Sequence, residues 1–284
     1  MKNISVLIPT RFVWDGICLT LESMLRRTRD VESVEIIVCD NSEAPNNRAC
    51  EPPRKLAPGA DDGNRREYLR DLARTGVIRL IENHDQAEKY GHGENVRVLL
   101  EHAETPYAML FVSSAEIMRA DWLDVLVGMI RDPARDLGVA RYRPAANHWD
   151  NCWITPSYRP NWMLLNVPLY RKFYPENNWD LETICLDKFS RPELFDGLPP
   201  LKHPEHTPPL VFGDTGWRLW ERLAYDNPDG LRILPLPDGY YATYTNGYGG
   251  LDRNSHRPEH PYVVDMLAQI KTRLDLLRAE PRPR

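Results

Sequence analysis

The 284-residue sequence has no apolar run near the ~18 residues that a membrane span requires. Nor does it open on a signal-peptide design, because Met1–Ser5 leads straight into a strand-like segment. Cysteine is scarce: Cys18, Cys39, Cys50, Cys152 and Cys185 are far apart, odd in number and never in a CxxC pair. Free thiols in a reducing cytosol are expected, and a cysteine zinc site is not. A surplus of positive charge is missing too. Lys+Arg 36 against Asp+Glu 41 gives a net charge of −5, which argues against a dedicated duplex nucleic-acid binder. No GxGxxG follows the first strand and no P-loop occurs, so neither a classical dinucleotide fold nor an NTPase is supported. Internal repeats and low-complexity tracts are absent. A soluble, cytoplasmic, globular protein is the expectation.

What is present supports a real core. The composition, 42% hydrophobic and 27% charged, is that of an ordinary folded protein, while eight Trp, 13 Tyr and 25 Pro exceed the average. Ile4–Ile8 is a short apolar run stopped by Pro9-Thr10, the pattern of a buried strand ending in a loop. Gly16–Arg27 has helical spacing, and Val34–Cys39 is a second strand ending on Asp40-Asn41-Ser42. Such a βαβ unit predicts a mainly parallel sheet. Residues 43–75 break the pattern with four prolines and predict a surface insertion with one helix near Arg65–Arg74. Further strands are expected over 77–81, 107–112, 137–140, 162–165 and 231–234, and helices over 94–102 and 217–223. Asp121 is the expected cap of another helix. Val263, Met266, Leu267, Ile270, Leu274 and Leu277 predict an amphipathic C-terminal helix that docks on the body.

Ligands of open parallel sheets sit at the carboxyl ends of the strands. That rim holds Pro9-Thr10-Arg11, Asp40-Asn41-Ser42, Ser113–Glu116 and Gly213-Asp214. With Leu19–Leu25 and Glu35–Ser42, the segment Ile4–Thr10 resembles the opening of a family 2 glycosyltransferase. Later segments keep the family's order. Asn83–Asn95, Ala103–Val112 and Asp121-Trp122-Leu123 are similar to its middle blocks, and Phe212–Leu219 to its "GEDxDLxxRL" block. The resemblance covers roughly residues 1–130 and 205–245.

The resemblance implies a GT-A-like α/β domain, Rossmann-type and mainly parallel. Residues 1–120 would form a nucleotide-binding half, 121–260 an acceptor-binding half and 261–284 a C-terminal helix and tail. It implies a nucleotide-sugar donor, with a UDP-sugar as first choice, held by Pro9, Thr10, Arg11, Asp40, Asn41, Ser113 and Ser114. Asp40 also reads as an ordinary strand-end turn residue. Asp214 takes the place of the family's general base, which removes the acceptor proton as the C1–O bond forms. It also reads as the cap of the following helix.

Two departures bear on metal. The family's DxD is replaced by Ser113-Ser114-Ala115, none of which is a carboxylate ligand, and its late metal-binding His by Thr243. A transferase without a DxD-bound metal is therefore expected, and no other cofactor. Cations would then have to offset the leaving diphosphate. Lys89, His92, Arg97, Arg253, His256 and Arg257 are candidates for that or for acceptor contact, although each also reads as a solvated surface charge. Trp149, Trp153, Trp162 and Trp217 are candidates for an acceptor platform, or core fillers. The competing expectation is a degenerate, non-catalytic domain that binds a nucleotide, a glycan or a protein. The acceptor (small molecule, glycan or nucleobase-bearing polymer) is left open.

Overall fold

The computed structural model describes residues 2–10, 14–40, 62–82, 92–147, 152–179, 182–201, 210–243 and 261–281. The first half contains β1 (Ile4–Thr10), α1 (Trp14–Arg27), β2 (Val34–Asp40), α2 (Asp62–Arg74), β3 (Arg79–Glu82), α3 (His92–Glu101), β4 (Tyr107–Leu110), β5 (Ala115–Ile117) and α4 (Trp122–Met129). After it come β6 (Asp136–Arg143), β7 (Ala146–Asn147), β8 (Cys152–Ile154), β9 (Ser157–Asn166) and α5 (Val167–Phe173). The chain continues through β10 (Glu182–Cys185), β11 (Leu210–Gly213), α6 (Trp217–Tyr225), β12 (Arg232–Pro235), β13 (Tyr241–Thr243) and α7 (Pro261–Ala279).

A seven-stranded sheet in the order β12-β6-β9-β4-β1-β2-β3 forms the centre. All pairs are parallel except those that β9 makes with β4 and β6. Only β9 is reversed, so β1, β2, β3, β4, β6 and β12 end at one edge. Both faces are covered, which explains the unbroken apolar runs. Val6 and Ile8 join one core with α1 and α4, while Leu7 joins the other with α3, α5 and α6. This is the mainly parallel, helix-flanked α/β arrangement expected from the sequence.

Helix α7 docks as its spacing predicts. Met266, Ile270, Leu274 and Leu277 bury against Cys18 and Leu19 of α1. Charged ties flank that seam: Arg278 grips Glu22 with Nη2 at 2.7 Å, and Arg26 Nη1 donates to the Leu277 carbonyl at 2.9 Å. No helix among the described residues is long and apolar enough to cross a membrane.

Three local expectations are corrected. Strand β1 does not stop at Ile8: Pro9 pairs with Cys39 and Thr10 with Asp40 in unbroken register. Asp121 makes no side-chain cap, because its carboxylate is engaged by Arg119, with Nη2 at 2.8 Å. Residues 174–211, a proline- and aromatic-rich connection for which the sequence predicts no strand, contribute β10 and the start of β11 to a second, four-stranded sheet in the order β10-β11-β8-β7.

Candidate active site at the carboxyl rim

Three of the expected site segments meet at the sheet's carboxyl edge. Thr10 ends β1 directly beside Asp40 at the end of β2, and Asp40 in turn faces Glu82 at the end of β3. Thr10 and Asp40 are each 1% exposed. Among the described residues Thr10 Oγ1 has no hydrogen-bond partner. A buried hydroxyl left unsatisfied costs free energy, so a partner is owed at this spot.

Behind Asp40, Cys39 Sγ lies 3.7 Å from Asn95 Oδ1 of α3. Burial, with the carboxylates of Asp40 and Glu94 nearby, pushes the Cys39 thiol up to about 12. That thiol is neutral at physiological pH and is excluded as a nucleophile.

Beyond β4, Phe111 packs edge-on against Trp162 with ring centroids 3.9 Å apart, and the chain then turns at Ser113-Ser114. Thr20 of α1 fixes the far side of this turn. Its hydroxyl accepts from the Ala115 amide at 3.0 Å and donates to the Ala115 carbonyl at 2.9 Å. Glu116, the first acid after this turn, is directed to α1 and α7. It is fully buried, takes Arg27 Nη1 at 2.8 Å, and takes Arg273 of α7 through Nε at 2.9 Å and Nη2 at 2.8 Å. The turn itself carries two serines, Ser114 buried, and no carboxylate.

Asp214 follows β11 and reaches the same rim through a partner that sequence reasoning missed. Arg143, the last residue of β6, donates through Nη1 to Asp214 Oδ2 at 2.6 Å. Asp214 Oδ1 accepts from the Thr215 amide at 2.9 Å. The helix-cap reading of Asp214 does not hold, since the cap of α6 is Gly216 and no side chain caps it.

Gly213 immediately precedes Asp214 at the end of β11. A Cβ there would lie 2.4 Å from Trp217 Nε1, so the indole occupies the space that an acidic side chain would need. Gly216 has φ +90°, and a Cβ would lie 2.0 Å from the Tyr158 carbonyl oxygen. Only glycine suits that position.

Other candidates fall elsewhere. Trp162 and Trp217 are 3% and 2% exposed, so in this arrangement they fill core rather than offer a face to an acceptor. Trp153 is half-buried and stacked on Phe195 at 5.3 Å. Arg97 is taken up by carboxylates of its own helix: its Nε donates to Glu94 at 2.8 Å and it also pairs with Glu101, and the bond to Glu94 raises its pKa further above the usual arginine value. Arg11, Asn41, Lys89, Trp149, Arg253, His256 and Arg257 lie outside the described residues, as does the side chain of His92.

No protein-family model matches the sequence, and no curated protein matches it. Among solved structures, residues 1–349 of S. aureus TarS in complex with UDP match at 14% identity and a TM-score of 0.46, over 98% of this chain and 71% of that one. The mannosyltransferase PcManGT from Pyrobaculum calidifontis, in complex with GDP-Man and Mn2+, matches at 12% identity and a TM-score of 0.44, over 99% and 76%. Another S. aureus TarS structure matches at 14% identity and a TM-score of 0.39, over 61% of this chain, which spans only 30% of that chain's length. Likeness this distant leaves the site to be read from the chain's own residues.

Proposed function

We propose that this chain is a glycosyltransferase that moves a sugar from a nucleotide-sugar donor to an acceptor hydroxyl, with inversion and without a DxD-bound metal. One observation carries the reading: a buried hydroxyl and carboxylate, Thr10 and Asp40, end β1 and β2, and a partly exposed carboxylate, Asp214 of the second sheet, is bound to Arg143 at the like-directed end of β6. Four strand spacings separate β2 from β6, about 19 Å at the usual interval. That span suits an extended ligand with a nucleoside at one end and the reacting group at the other.

Thr10 and Asp40 hold the nucleoside. The Ser113-Ser114 turn, midway along the edge, lies under the diphosphate. Asp214 takes the acceptor proton while the acceptor oxygen bonds to C1 and the C1–O bond to the diphosphate breaks, its electron pair leaving with the nucleotide. Metal independence is supported by the donor set, hydroxyls at Ser113 and Ser114, and by the engagement of Glu116 with two arginines. A second reading, a binding domain without turnover, draws on the same loss of carboxylates.

Calorimetry with UDP, GDP, TDP, CDP and CMP, each with Mn2+ and with EDTA, tests the proposal. Selective binding that ignores EDTA and weakens at least 10-fold in Asp40→Ala is expected. In the same series Asp214→Asn keeps the affinity and loses turnover. Binding that needs Mn2+ defeats the metal-independent reading, and tight binding without turnover in the unmodified chain selects the second one.

A further inference from the structure

We infer that Arg143 is the positioning residue of Asp214, fixing the carboxylate so that it faces the acceptor. The inference rests on the reading of Asp214 as the base. Arg143 ends β6 of the central sheet, whereas Asp214 follows β11 of the second sheet, 71 residues later in the chain. Their pairing is the point at which the two sheets are joined beside the rim.

The pair is asymmetric. The Arg143 side chain is 9% exposed and that of Asp214 is 28% exposed, so solvent reaches the carboxylate but scarcely reaches the guanidinium. Arg143 is itself anchored, because Nη2 donates to the Thr155 carbonyl at 3.3 Å. Thr155 is in turn tied to β11, with its amide donating to the Phe212 carbonyl at 3.1 Å. The guanidinium thus spans two points of the frame that carries Asp214. With Oδ2 held by Arg143 and Oδ1 by the Thr215 amide, the carboxylate has a single orientation. Burying an arginine in an ion pair is poor value as stabilisation, since desolvation offsets the attraction. Its use here is geometric: a planar fork that fixes direction, which a lysine does not supply.

The test uses the full chain with UDP-glucose, UDP-GlcNAc and GDP-mannose, water serving as acceptor, and follows nucleoside diphosphate release. In that reaction the water oxygen bonds to C1, its proton passes to Asp214, and the C1–O bond breaks with its electron pair on the diphosphate. Arg143→Lys is expected to lower kcat about 10-fold and Arg143→Met about 100-fold, the scale of a misplaced catalytic group, with donor KM changed less than about twofold. An ion pair that served only the fold would lower the melting temperature in both variants and leave kcat, read well below that temperature, unchanged.

Wild-type rates in both arginine variants, with Asp214→Asn inactive, would overturn the positioning role alone. If Arg143→Met does not fold, Arg143→Lys decides. A wild type that cleaves none of the three donors, or an active Asp214→Asn, removes the base and the positioning role together.

Discussion

Gly213 illustrates how one residue can be dictated by a neighbour rather than by the chemistry beside it. The indole of Trp217 is fully buried against Phe189, Phe195 and Val211, and it fills the volume next to Gly213. Gly213→Ala is expected to destabilise the fold by about 1–3 kcal/mol through overpacking, measured by urea unfolding. A Gly213→Glu variant, whose side chain needs still more of that volume, should fare worse. Unchanged stability in either would mean that Trp217 repacks freely.

Asp136 is a second such residue. Only 1% exposed, it accepts from the Arg131 amide at 2.9 Å, the Asp132 amide at 2.8 Å and Arg232 Nε at 2.6 Å. Burial opposes its ionisation, but these donors outweigh it and hold its carboxyl below the usual value. A folded pKa beneath the unfolded one means stability present above about pH 4 and lost as pH falls through the lower folded value. Asp136→Asn should cost about 2 kcal/mol at pH 7. Its deficit against the wild type should shrink in unfolding curves below about pH 4, and a constant deficit would rule out this linkage.

At the scale of elements, β5 is short but heavily tied. Three residues long, it pairs with β13, is held by Thr20 and Ser23 of α1, and carries Glu116 between Arg27 and Arg273. Removing the carboxylate takes one ion-pair partner from Arg27, which keeps Glu280, and two hydrogen bonds from Arg273. Glu116→Ala should therefore destabilise by about 3 kcal/mol, the lower end for a broken buried pair, because both arginines retain some contact with water. A drop in Tm no larger than that of Arg273→Ala would mean that the bond from Arg27 to Glu116 contributes little. Since β5 immediately follows Ser113-Ser114, any loosening of this seam should also weaken nucleotide binding.

Across the whole molecule, what was legible in the sequence were the elements whose signal is local. The apolar runs of β1, β2 and β4, the 3.6-residue period of α1 and the docking face of α7 all follow from near neighbours in the chain. The second sheet was not legible, because β7, β8, β10 and β11 are two to four residues long and alternate too briefly to show a period. The rim positions of Thr10 and Asp40 were visible as strand ends. The partner of Asp214 was not, since nothing in spacing ties a residue to one 71 positions away. The tryptophans show the same limit: an indole reads alike in a sequence whether it lines a cleft or fills a core, the two readings open for Trp162 and Trp217, and both fill the core.

The docking of α7 on α1 also sets a clock on synthesis. Cys18 and Leu19 leave the ribosome early, yet the apolar surface that covers them, Met266 to Leu277, is made some 250 residues later. At about 5–20 residues per second that delay is roughly 10–50 s. Throughout it, α1 keeps an uncovered apolar stripe, a natural handhold for a nascent-chain chaperone.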